Sequence, residues 1–342
     1  MTAGKKGETA PNEGHMPVGG PMDAERDVQP MFRIFFLVQS LVLFGLVIAS
    51  HYGIRHLPNR VELGPRLSTL HMAPAQFSKS FAPFQLAGAW YLTSPDPRFG
   101  GWSALAIDRG RLLALSDTGL VGWFPKPGAA APTIFMKELP DGPGDRHYRS
   151  NRDAEALVPD AAGRGWWVAF ENRNELWLYD PGFARALKRV EFGKRRWRPN
   201  LGIEGLAQSG ADLLLVLERD PKILRTHANI SAALPVVGKK GRFAESVRLP
   251  HGRLFALEQA TSQSGFRNTL VELQEWPDGF SVAGRYLLPL GPFDNVEGMT
   301  AERLPDGRIR LWLITDDNFQ RPMRTLLLAI DLPPQRRGRK AR

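Results

Sequence analysis

The chain predicts an all-β fold, a β-propeller of six blades with five as the alternative count, and three observations carry that expectation. From Phe81 onward, short apolar runs are separated by Gly, Pro, Asp and Asn at close intervals, which reads as many short strands and no long helix. Several runs (Leu112 to Leu115, Trp166 to Phe170, Leu213 to Leu217, Leu254 to Leu257, Leu311 to Ile314) are apolar without alternation. Strands covered on both faces by neighbouring blades have that pattern. A hairpin-like unit also recurs, with starts about 40 to 50 residues apart, the period of a radial β array.

The units begin at Ser103, Glu155, Glu204, Glu245 and Glu297. They close on Ser116-Asp117, Glu171, Glu218, Glu258 and Thr315-Asp316-Asp317. Turn residues link the halves at Asp108-Arg-Gly110, Pro250-His-Gly252 and Asp306-Gly307. An antiparallel hairpin sets the first residue of one strand beside the last of the next, so each unit delivers two polar side chains to one end. Repetition about an axis gathers those side chains at one mouth. Strands at Phe84 to Leu92 and Leu326 to Leu332 are expected to share one blade and close the ring. A two-sheet sandwich competes with this architecture but gives no reason to repeat the same polar pair.

The 342 residues, 43% of them hydrophobic, suffice for one large closed domain, expected over residues 81–332. With no cysteine, neither disulfides nor thiolate sites hold it together. The formal charge of +10 is concentrated in a loop (Lys188, Arg189, Lys194, Arg195, Arg196, Arg198) and in a basic tail at 333–342. No nucleic-acid motif accompanies either cluster, so no nucleic-acid partner is expected. Residues 1–30 are rich in Gly, Pro and small polar residues, and disorder is expected there. Residues 31–50 contain a run without charge from Ile34 to Ala49, which predicts a hydrophobic helix acting as membrane anchor or export signal. Residues 51–80 then form a tether. The expected location is periplasmic or otherwise extracytoplasmic, anchored in an inner membrane by residues 32–50, and the expected state is a monomer.

Four stretches carry a family resemblance. They are Gly100-Gly-Trp-Ser-Ala-Leu-Ala with Ala-Leu-Ser-Asp117, Asp153-Ala-Glu-Ala-Leu with Phe-Glu171, Asn200-Leu-Gly-Ile-Glu-Gly-Leu with Leu-Glu218, and Asp294-Asn-Val-Glu-Gly-Met with Ile-Thr-Asp-Asp-Asn-Phe319. In order and spacing they resemble the phytase-like domain family, described as having esterase-like activity of phytase, over about Ala87 to Leu332. The resemblance implies a bacterial, exported β-propeller acting on an ester or phosphoester. Trp102 and Ala104 depart from the family pattern, where Phe or Tyr and Gly are typical.

The chemistry expected of the mouth follows from its residue types. Asp117, Glu155, Glu171, Glu204, Glu218, Glu297, Asp316 and Asp317 are the candidate metal ligands, because crowded carboxylates raise one another's pKa unless cations join them. Hard oxygen ligands without Cys favour Ca²⁺, then Mg²⁺. Asn200, Asn295 and Asn318 are placed to complete coordination. Glu204, Glu297 and His147 are the candidate catalytic groups, and Arg152, Arg219 and Arg324 the candidate substrate clamps. The competing account is a purely structural ring in which Arg152, Arg173, Arg219, Arg267, Arg321 and Arg324 pair with the same acids. Ser103 and Ser116 have no adjacent His, and no Gly-x-Ser-x-Gly elbow is present, so a serine hydrolase is not expected. Metal-assisted hydrolysis of a small-molecule ester or phosphoester is the first functional expectation. A non-catalytic cell-envelope binding propeller and a lactonase-type propeller are the alternatives.

Overall fold

The computed structural model describes residues 64–145, 148–192, 202–226 and 230–333. The expected tail, apolar helix and basic C-terminus lie outside these residues, as do His147 and Asn200. Among the described residues no helix is long and apolar enough to cross a membrane.

Two short strands come first, β1 (Arg66–Thr69) and β2 (His71–Pro74), followed by β3 (Gln85–Thr93). Five meanders then occupy the chain in order. The first is β4 (Trp102–Asp108), β5 (Arg111–Ser116), β6 (Leu120–Phe124) and β7 (Thr133–Glu138). The second is β8 (Ala154–Pro159), β9 (Trp166–Phe170), β10 (Glu175–Tyr179) and β11 (Ala186–Glu191). The third is β12 (Ile203–Ser209), β13 (Asp212–Leu217), β14 (Lys222–Thr226) and β15 (Ile230–Val237). The fourth is β16 (Arg242–Arg248), β17 (Leu254–Ser262), β18 (Gly265–Trp276) and β19 (Gly279–Leu287). The fifth is β20 (Asn295–Arg303), β21 (Ile309–Asp316) and β22 (Leu326–Asp331), completed by β3 from the other end of the chain.

Among the described residues there are therefore five blades rather than the six first favoured. The strands that were expected to close the ring do pair, β3 with β22, but they finish the fifth blade instead of building a sixth. A short parallel pairing of β15 with β19 joins the outer edges of blades three and four.

The apolar runs without alternation have the expected cause. Along β5, Leu112 and Ala114 pack toward blade five while Leu113 and Leu115 pack toward blade two. The same division repeats around the ring and yields five apolar clusters, one between each pair of consecutive blades, including blades five and one. Burial between blades, not within one central core, holds the domain closed. The tryptophans belong to this packing: Trp102 is fully buried, and Trp123, Trp167 and Trp312 donate their indole N–H groups to Asp108, Asp160 and Glu302.

The segment expected to be a tether does structural work at its end. β1 adds to the outer edge of blade one through β7, and β2 adds to the outer edge of blade five through β3. Leu70, between them, is buried in the cluster that seals those two blades. Leu70→Ala should therefore cost about 2–5 kcal/mol of unfolding free energy in a denaturant titration. Leu67→Ala, on the exposed side of the same strap, should stay within about 0.5 kcal/mol of the parent.

Candidate functional site

Every inner strand carries a bulge near its start, and the bulges decide what faces the axis. Register with the second strand shifts at Trp102/Ala104, Ala154/Ala156, Ile203/Gly205, Phe243/Glu245 and Val296/Gly298. The skipped residues are Ser103, Glu155, Glu204, Ala244 and Glu297. An unpaired bulge residue leaves the ladder and turns its side chain out of the sheet. Immediately after the bulge, inner strands approach closely, so the position is small in four blades: Ala104, Ala156, Gly205 and Gly298. A Cβ on Gly205 would lie 2.8 Å from the Ser246 amide nitrogen, and one on Gly298 would lie 3.0 Å from the Ala104 carbonyl carbon.

In blades one, two, three and five, the second strand ends on a residue aimed at the same opening. The amides of Asp117, Glu171 and Glu218 donate to the carbonyls of Gly101, Asp153 and Gly202, and Asp316 pairs with Asn295. The result is a cavity of about 270 Å³ lined by Asp117, Asp153, Glu155, Glu171, Glu204, Glu218, Arg242, Glu297, Asp316 and Asn318. Seven of the eight predicted metal-ligand residues meet there. At a second opening, of about 210 Å³, the later residues of all five inner strands contribute a mainly apolar lining.

The crowding shows in the acidities. Burial first, then the neighbouring Glu204, Asp153 and Glu297 carboxylates, hold the Glu155 carboxyl well above the usual range. Burial, with Glu171, Glu218 and Glu297 nearby, does the same for Glu204. Asp316 is likewise raised by burial and by Glu297 and Asp117. Glu171 is pushed up to about 7 by burial and by Asp153 and Glu218. Glu297 also reaches about 7, with burial winning against the opposing pull of Arg242 and a 2.8 Å hydrogen bond from Asn295 Nδ2. The Glu155 and Asp153 carboxyls, and those of Glu171 and Glu204, stand close enough to act on one another's acidity.

Two groups of carboxylates are spaced to hold a cation: Asp153, Glu155 and Glu171, and then Glu171, Glu204 and Glu218. Within each group one oxygen per residue lies within 4.8 Å of the others. Glu218 Oε2 is buried in the mouth without a hydrogen-bond partner, with Arg219 Nε 3.8 Å away, which leaves it free to serve as a ligand atom. The donor set is all oxygen and anionic, which fits Ca²⁺ and, with stricter geometry, Mg²⁺.

Other expectations are corrected. Asp317 does not line the cavity; its Oδ1 accepts from the amides of Gly101 and Phe319 and clamps blade five to blade one. Glu245 is displaced because the blade-four bulge falls one residue earlier, on Ala244. Its carboxyl lies buried, accepts from its neighbour Ser246, and is raised in pKa by burial. Glu258 is bound by Arg285 and by the amides of Lys240 and Gly241, which outweigh burial and lower its pKa. The arginine clamps are elsewhere too. Arg152 is buried beside Gly119 and Gly142, Arg219 is largely exposed with its Nε 3.8 Å from Glu218, and Arg324 stacks on the Tyr91 ring at 3.9 Å. Arg173 binds Asn151, while Arg267 and Arg321 are exposed. The purely structural account keeps the pair of Arg219 with Glu218.

Sequence reasoning missed Asp153 and Arg242. Asp153 stood two residues before a predicted ligand, a spacing that places it across the bulge on the same side. Arg242 was hidden by the misplaced start of the fourth unit. Asn318, expected to help coordination, does reach the mouth, and its amide donates to Asp316 Oδ1 at 2.7 Å.

A protein-family model described as "Phytase-like: Esterase-like activity of phytase" matches residues 97–319. No curated protein matches the chain. Among solved structures, Myxococcus xanthus glutaminyl cyclase is 13% identical, with a TM-score of 0.47 over 68% of this chain and 92% of that one. A luciferin-regenerating enzyme is 11% identical, with a TM-score of 0.42 over 78% and 95%. The RRP9 WD40 repeats are 9% identical, with a TM-score of 0.41 over 73% and 100%.

The acidities set a pH dependence. A carboxyl with a folded pKa above its unfolded value binds protons more tightly in the native state, so stability falls as pH rises from one value toward the other. For Glu171 and Glu297 that window runs from 4.5 to about 7. In chelator, the melting temperature should fall between pH 5 and pH 8, and Ca²⁺ at pH 8 should restore it. A melting temperature that rises across this range contradicts the assignment.

Proposed function

The chain belongs to the phytase-like family, described as esterase-like activity of phytase, and from that membership we propose that its acidic mouth performs metal-assisted hydrolysis of a phosphoester or carboxylic ester. The supporting observation is the meeting of eight carboxylates and a single guanidinium around one cavity. Asp153, Glu155, Glu171, Glu204 and Glu218 would hold Ca²⁺. When bound, a divalent ion supplies positive charge to an ester or phosphoryl oxygen and acidifies a water molecule.

The remaining acids have a different task. Asp117 on blade one and Glu297 and Asp316 on blade five lie outside both ligand groups. Glu297, at about 7 and oriented by Asn295, is suited to accept a proton from the attacking water near neutral pH. Glu204, expected both as a catalytic group and as a ligand, is assigned the ligand role here. The proposal includes an extracytoplasmic location with residues 32–50 as the anchor; the apolar run supports it, and fractionation of cells carrying chains with and without residues 1–50 checks it.

The full chain should bind Ca²⁺ stoichiometrically and turn over at least one of an aryl phosphate, an aryl ester or a γ-lactone. Glu171→Gln removes the residue common to both ligand groups and should lower Ca²⁺ affinity at least about tenfold. Glu297→Gln should lower kcat by about 10²-fold or more while Ca²⁺ still binds. Turnover that survives exhaustive chelation excludes the metal mechanism. A Ca²⁺-loaded protein inert on the whole panel favours the binding propeller instead.

A further inference from the structure

Blade four breaks the pattern of the mouth. At the three positions where other blades place acids, glycine, serine or asparagine, it supplies Arg242, Ala244 and Gln259, as the pairing of Arg242 with Gln259 and the bulge at Ala244 show. Arg242 thus stands where blade two has Asp153. Its guanidinium is held in place: Nη2 donates to Gln259 Oε1, and Gln259 Nε2 is fixed by Asn268 Oδ1 at 2.9 Å and Asn295 Oδ1 at 3.0 Å.

The carboxylates nearest to Arg242 do not satisfy it. Glu218 Oε1 lies 3.5 Å from Nη1 and Glu297 Oε1 lies 3.8 Å from Nη2, both beyond good hydrogen-bond length. Nε is buried and has no hydrogen-bond partner. A positioned guanidinium that lines the cavity, with Nη1 making no hydrogen bond of good length, matches the oxygen edge of an oxyanion. The carboxylates spaced to hold a cation lie on blades two and three of the same cavity, with Glu218 of blade three the one beside Arg242.

We propose that Arg242 is the anion-recognition residue of this mouth, binding a phosphate-type oxyanion whose remaining oxygens face the ion held by blades two and three. The proposal rests on the hydrolase reading for its second contact only; the guanidinium contact stands without it. Its consequence is specificity: phosphoesters are selected over neutral esters, which offer Arg242 no charge.

Inorganic phosphate titrated calorimetrically into the Ca²⁺-loaded full chain tests this. Arg242→Gln should weaken phosphate binding by about tenfold or more, the worth of a charged hydrogen bond. Ca²⁺ affinity should be unchanged or higher, because a competing cation has gone. Arg219→Gln, removing the same charge from an exposed rim position, should leave phosphate binding within about threefold. Equal phosphate binding by parent and Arg242→Gln, equal losses in the Arg242 and Arg219 variants, or joint loss of Ca²⁺ and phosphate would each overturn the proposal. If Arg242→Gln does not fold, Arg242→Lys decides, since it keeps the charge without the fork: weaker phosphate binding supports the assignment and parental binding removes it. A parent that takes up no Ca²⁺ defeats the metal reading alone, and phosphate titrated against the metal-free proteins then judges Arg242 by the same difference.

Discussion

Repulsion among carboxylates packed around one axis is the constraint on which the rest of this structure depends. Eight of them share a cavity of about 270 Å³, and one guanidinium opposes them. Such a group cannot ionise fully in water-poor surroundings, so some members retain protons well above their ordinary range. The fold sustains this arrangement because its stability is generated elsewhere, in the five apolar seams between blades. Strain at the mouth and cohesion at the seams are separate, which is how a domain can tolerate a site that is unfavourable without its ligand.

The bulges connect sequence to site. A strand that ran regularly into its hairpin would send alternate side chains into the two interblade seams and none along the axis. One extra residue per inner strand releases Glu155, Glu204 and Glu297 toward the opening. The small residue that follows lets neighbouring inner strands approach until their backbones touch. Blade four uses the same device with different side chains, so the mouth acquires an acidic side on blades two and three and a basic point on blade four. That polarity sets this mouth apart from a uniform acidic ring.

Much of this was legible before the structure. The period of the units, the apolar runs without alternation and the paired acids at the hairpin ends predicted the radial array. The convergence of Asp117, Glu155, Glu171, Glu204, Glu218, Glu297 and Asp316 followed from antiparallel pairing alone. The fourth unit misled because Glu245 is acidic and sits beside the true position. Hydropathy cannot register a one-residue bulge, and only backbone pairing shows that Ala244 is the residue released. The preferred count of six gave way to the alternative of five for a related reason: the closing strand β3 lies more than two hundred residues from its partner β22, so repeat spacing could not tell completion of a blade from addition of one. Residues 66–74 read as a tether because two four-residue edge strands carry almost no periodic signal. The arginine clamps were chosen by nearness in sequence, which says little about reach across a ring.

Proton release on Ca²⁺ binding tests the central claim most directly. Calorimetric titration of the full chain with Ca²⁺, repeated in buffers of different ionisation enthalpy, measures the protons expelled when the ion enters. The account predicts release near pH 6.5, where Glu171 and Glu297 are near their midpoints and burial and crowding hold the carboxyls of Glu155, Glu204 and Asp316 above the usual range, with less release as pH rises and carboxyls ionise. Ca²⁺ binding with no proton release at pH 6.5, or no Ca²⁺ binding at any pH between 6 and 9, would contradict it.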